Sequence, residues 1–109
     1  MKINVLGTDY ELFYRAPHED DILSKGECNG YCDPSTKRIV VTTENTDLGS
    51  FETEQKKIVR HELIHAFLFE SGLGASWEHN EYGHEETVVD WMAFQFPKLL
   101  EAFKIADVM

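Results

Sequence analysis

From Thr53 to Ser71 the chain carries neither Pro nor Gly, and this uninterrupted run constrains the fold more than any other segment. Thr53 offers a capping hydroxyl, and Glu54, Gln55, Lys56 and Lys57 behind it are good helix formers. Ile58, Val59, Leu63, Ile64, Ala66, Phe67, Leu68 and Phe69 then cover most of a helical circumference. Such a helix is expected to pack into a core rather than lie on a surface. Ser71-Gly72 closes it, since Gly is free to take the left-handed conformation. Three residues inside the run fit poorly with simple packing: His61, Glu62 and His65. Burying them without a partner is costly, so the pattern asks for one.

A metal ion is the partner that their spacing suits. Residues four apart lie on one face of a helix, so His61 and His65 can grip a single ion together. Glu62 stands about 100° around the helix from His61, given roughly 3.6 residues per turn. From there it can reach a metal-bound water without taking a coordination position. Two neutral imidazoles hold Zn²⁺, the ion lowers the pKa of its water, and a carboxylate takes the proton. His61-Glu62-Leu63-Ile64-His65 is thus an HExxH pattern, the signature of a hydrolytic zinc helix.

A catalytic zinc needs a third protein ligand and an open position. The segment 85–94 reads as a second helix, with Val89, Met92 and Ala93 available for packing. Glu86 and Asp90 are four apart and share a face, which suggests Glu86 on the metal and Asp90 accepting the free N–H of a ligand His. Both also read as solvent-facing carboxylates of an acidic chain, and His84, His79 and Glu85 are the other candidates for the third ligand.

His61-Glu62-Leu63-Ile64-His65-Ala66 followed by Glu86, Asp90 and Ala93 resembles the gluzincin pattern, and more narrowly the ImmA/IrrE-like metallopeptidases and their small phage-encoded relatives. The resemblance covers roughly positions 58–94. It implies a zinc-dependent peptidase with His61, His65 and Glu86 as ligands, Glu62 as general base and Asp90 as the residue that orients a ligand. It also implies a protein or peptide substrate, held as an added strand at a sheet edge near the metal. The chain departs from the larger members: it has no long helix ahead of its strands and no helix-turn-helix, and Val89 stands where a small residue usually precedes the Asp. SprT-like proteases use a third His instead of Glu, an option that His84 keeps open. Those proteins are tied to DNA, however, and ten basic against twenty acidic residues give this chain a net charge of −10, which repels phosphate.

At 109 residues the chain is expected to form a single domain, 1–109. No apolar stretch approaches the roughly 20 residues needed to span a membrane, and Met1-Lys2 runs straight into a strand-like Ile3-Asn4-Val5-Leu6, so a cytoplasmic location is the default. Cys28 and Cys32 could in principle join His61 and His65 as a structural zinc set, but the 28 intervening residues far exceed zinc-finger spacing. Two ordinary thiols in or beside a strand fit better.

Segments 2–6 and 10–15 read as two short strands, and 29–33 and 38–43 as a hairpin around Asp33-Pro34-Ser35-Thr36-Lys37. By the resemblance, the β-branched strand 38–43 is the candidate substrate-binding edge, and a central or covered strand is an equal reading of it. Ala16 to Asp21 is a polar connector, in which His18, Asp20 and Asp21 are a remote cation option. Between the two helices, Tyr82 and His79 are possible oxyanion donors, while Trp77 and Tyr82 can equally close the core. Pro97 is placed to open a short final helix. The expectation is an α+β, minimal zincin-like domain: a small antiparallel sheet, an HExxH helix and a second ligand-bearing helix. Zn²⁺ is the expected cofactor, with neither nucleic acid nor membrane as partner. A catalytically weak protein-binding module of the same fold and a structural zinc domain are the alternatives.

Overall fold

The computed structural model describes residues 1–26, 28–44, 50–72 and 86–109. Strand β1 (Lys2–Val5) turns into β2 (Thr8–Arg15) through Leu6 and Gly7, whose φ angles are 51° and 93°. Positive φ at both loop residues matches the turn that suits the twist of a two-residue hairpin. The Asn4 carboxamide oxygen accepts the Gly7 N–H at 3.1 Å and steadies it. After two 3₁₀ turns (Pro17–Glu19 and Leu23–Lys25) come β3 (Gly30–Asp33) and β4 (Arg38–Thr42). Asp33 organises the turn between them, accepting from the Ser35 N–H at 3.0 Å and the hydroxyls of Ser35 and Thr36 at 2.6 and 2.8 Å.

The sheet order is β1-β2-β4-β3, and the architecture is α+β with a mixed rather than a purely antiparallel sheet. Each hairpin is antiparallel as expected, but β4 enters beside β2 and runs parallel to it. This places β3 at one end of the sheet and β4 inside, so the candidate edge strand is β3 and not 38–43. Burial agrees. Ile39, Val40 and Val41 are all fully buried, which alternating residues can be only if both faces of the strand are covered.

Helix α1 (Phe51–Glu70) lies on the sheet face formed by Val5, Tyr10, Leu12, Ile39 and Val41, with Ile58 and Ala66 completing the core. Its first turn starts before Thr53, which sits inside the helix and accepts the Ser50 hydroxyl at 3.0 Å. At its start the Gln55 side-chain amide donates to the Thr42 carbonyl at 2.8 Å. At its end Glu70 accepts from Tyr10 Oη at 3.0 Å and Lys37 Nζ at 2.7 Å. The helix is less enclosed than its apolar content suggests, since Phe67 and Phe69 remain 42% and 36% exposed.

Helix α2 (Glu86–Ile105) is one 20-residue helix with Pro97 inside it, where a break and a new start were expected. Proline lacks the N–H that would bond the carbonyl four residues earlier, that of Ala93. This carbonyl instead accepts from Arg60 Nε on α1 at 2.6 Å, and the helix continues. Val89 and Ala93 are its buried residues. Among the described residues no helix is long and apolar enough to cross a membrane.

Candidate metal centre

The buried stripe of α1 is Ile58, Glu62, His65 and Ala66, spaced as one helical face. His61 flanks it, its side chain 18% exposed. Glu86, in the first turn of α2, reaches across to both imidazoles. The Nε2 atoms of His61 and His65 are 3.2 Å apart, and the two Glu86 oxygens lie 3.1 Å from the first and 3.0 Å from the second. These three side chains are the group of potential metal ligands found among the described residues. Ligands at about 2.0–2.1 Å around a tetrahedral zinc stand about 3.3 Å from one another. The three donors therefore converge at nearly the spacing that a small cation requires, and their imidazole and carboxylate chemistry suits zinc.

One turn along α2, Asp90 Oδ1 lies 3.3 Å from His61 Nδ1 and 3.7 Å from Lys57 Nζ. A neutral His61 that donates Nδ1–H to Asp90 presents only a lone pair at Nε2, facing a carboxylate oxygen and a second imidazole nitrogen. Lone pairs at that distance need a shared proton or a cation between them.

Glu62 is 7% exposed and makes no hydrogen bond within the described residues. Burial, and then the charge of Glu86, push its carboxyl up to about 8. A buried carboxyl without a donor is rare enough to need a reason. Beside it, burial and the neighbouring charge of Glu62 push the Cys32 thiol up to about 12, which keeps it protonated. Cys28 and Cys32 both line the cleft, are not disulfide-bonded and lie outside the donor group found among the described residues.

The cleft, of about 620 Å³, runs between Gly30 and Cys32 of β3 on one wall and Ile58 and His61 of α1 on the other, with Glu86 at its mouth. Asn29 accepts from Thr42 N–H at 2.9 Å, and the antiparallel alternation continues through Tyr31 opposite Val40. Gly30 and Cys32 therefore turn their backbone N–H and C=O away from β4, along the cleft side. Gly30 itself was not anticipated from sequence. A Cβ there would stand 2.8 Å from Ile58 Cγ2, 3.2 Å from the Val40 carbonyl and 3.5 Å from Glu62 Cγ. An isolated Gly in a strand pattern is the available signal of such a close approach.

The Asp20 carboxylate is taken up by protein donors. It accepts the N–H groups of Ile22 and Leu23, each at 3.0 Å, and the Tyr31 hydroxyl at 2.6 Å. His79, Tyr82, His84 and Glu85, with Trp77, lie outside the described residues. Comparison of the chain with protein-family models, with curated proteins and with solved structures found no match.

Proposed function

We propose that this chain is a zinc-dependent metallopeptidase of the gluzincin type, resembling the ImmA/IrrE-like enzymes. The observation that carries the reading is the meeting of His61, His65 and Glu86 at 3.0–3.2 Å beside a buried Glu62 that makes no hydrogen bond among the described residues. His61, His65 and Glu86 would hold the ion, which supplies a Lewis acid for the scissile carbonyl and an acidified water. Asp90 fixes the ring of His61 through Nδ1. Glu62 accepts a proton at its carboxylate and returns it to the departing amine nitrogen. The outward backbone groups of Gly30 and Cys32 pair with an extended peptide, so affinity comes mainly from main chain and demands little of side-chain sequence. The substrate is thus an extended segment of a protein or peptide.

Elemental analysis and hydrolysis of an unfolded protein test this together. The wild type should carry one zinc and cut, Glu62→Gln should keep the zinc and lose at least about a hundredfold in rate, and Glu86→Ala should lose zinc. Zinc that survives Glu86→Ala but disappears with Cys28→Ser/Cys32→Ser would sink the reading. Full zinc occupancy without any hydrolysis would leave a binding module.

A further inference from the structure

The helix that carries Glu86 contains a proline three turns further on, and the consequence reaches back to the metal centre. Ala93 is fully buried, so water cannot replace the donor that Pro97 withholds from its carbonyl. The replacement comes from Arg60, the residue immediately before His61, at 2.6 Å. Glu86, Asp90 and Ala93 are spaced four and then three residues apart, so they share the face of α2 that meets α1. One face of α2 thus carries a ligand, its supporting carboxylate and an acceptor reserved for α1.

We infer that Arg60 is a positioning residue that sets the register of α2 against α1, with Pro97 as the device that keeps its acceptor free. This rests on the metallopeptidase reading for its effect on zinc, but the clasp itself does not. Burial of Val89 and Ala93 holds the helices together without fixing how far α2 slides or turns, because apolar contact is non-directional. A hydrogen bond from a planar guanidinium to one specified carbonyl fixes both. In an uninterrupted helix that carbonyl would already be occupied by the N–H four residues on. A slide of one residue, about 1.5 Å, would take Glu86 out of reach of one imidazole.

A double-mutant cycle of Arg60→Met and Pro97→Ala separates this role from plain packing. Methionine keeps the apolar stem and removes the donor, and alanine returns the missing N–H. Zinc affinity is read by competition with a chromophoric chelator, and thermal unfolding of the metal-free chain is followed in parallel. Arg60→Met should weaken zinc about tenfold, as loss of a supporting hydrogen bond does. Pro97→Ala, which refills the Ala93 carbonyl from within the helix and so competes with Arg60, should itself weaken zinc, and the double variant should bind little more weakly than Arg60→Met alone. Arg60→Lys should recover part of it. Equal losses in both backgrounds, or a lowered melting temperature with zinc affinity unchanged, would overturn the proposal. If the wild type binds no zinc, the metallopeptidase reading falls, and the metal-free cycle decides the clasp. A smaller drop in melting temperature for Arg60→Met in the Pro97→Ala background supports it, and equal drops overturn it.

Discussion

Gly30 has room for a hydrogen and for nothing larger. An added methyl group would meet Ile58 Cγ2 at 2.8 Å, and Ile58 is β-branched on a helix, so it has little rotameric freedom to yield. Gly30→Ala should therefore cost roughly 1–3 kcal/mol by overpacking. Because the same methyl stands beside the Glu62 stem, hydrolysis should fall further than zinc affinity, a difference that rate and metal-binding measurements on one variant would expose. Cys32 offers a second check. With its thiol pushed up to about 12, it should resist alkylation at pH 8 in the native chain and react once the chain is unfolded. Rapid native labelling of Cys32 would contradict the burial described for it. His61, Glu62 and His65 were legible in the sequence because helical period alone puts them together, and Glu86 with Asp90 because four residues make one turn. Gly30 and Cys32 were not, since their closeness to Glu62 arises only when β3 is laid across α1, a long-range event with no local periodicity.

The same limit governs the elements. Both hairpins and α1 were readable from turn residues and apolar spacing, yet the parallel docking of β4 on β2 was not, because either hairpin is locally complete without it. Pro97 misled for a related reason: its usual penalty inside a helix is relieved by Arg60 from another element. Asp20 shows how a connector becomes structural. Its carboxylate gathers the N–H groups of Ile22 and Leu23 at the start of the second 3₁₀ turn and the Tyr31 hydroxyl from β3, tying the crossover to the sheet edge. Burial pushes its carboxyl upward, but hydrogen bonds from Tyr31, Leu23 and Ile22, with Arg15 nearby, outweigh it and hold it below the usual carboxylate range. A folded pKa below the unfolded one means that the stabilisation is present above the unfolded value, about 3.9, and is lost as pH falls through the folded one. Asp20→Ala should cost roughly 2–4 kcal/mol at neutral pH by orphaning several donors. It should also flatten the acid limb of the stability curve; an unchanged limb in urea unfolding from pH 6 to 2 would rule out this role.

At the scale of the whole molecule, α2 is the element whose attachment matters most. It buries Val89 and Ala93 but leaves Trp91 and Phe94 more than half exposed, at 54% and 57%. Among the described residues it is held by that narrow stripe, the Arg60 bond, and contacts of Glu86 and Asp90 with α1, among others. The chain carries a net charge of −10, and Glu86 and Asp90 both line one cleft, so their mutual repulsion works against closure of α2 on α1. A divalent cation held by His61, His65 and Glu86, as proposed, would reverse that sign: it would cancel carboxylate charge and join the two helices through ligands from both. Binding to the folded state alone stabilises by about 4 kcal/mol when free ligand is 1,000 times the dissociation constant. For a chain of this size that corresponds to a rise in melting temperature of roughly 15–30 °C. Saturating zinc should produce such a rise in the wild type and a much smaller one in Glu86→Ala, since without Glu86 the ion is lost and α2 gains no link to α1. Amide exchange locates the effect: protection should increase over residues 86–105 on adding zinc and leave β1 and β2 largely unchanged. Uniform protection across the sheet and both helices would mean that zinc stabilises the fold as one unit, and that α2 is not its point of control.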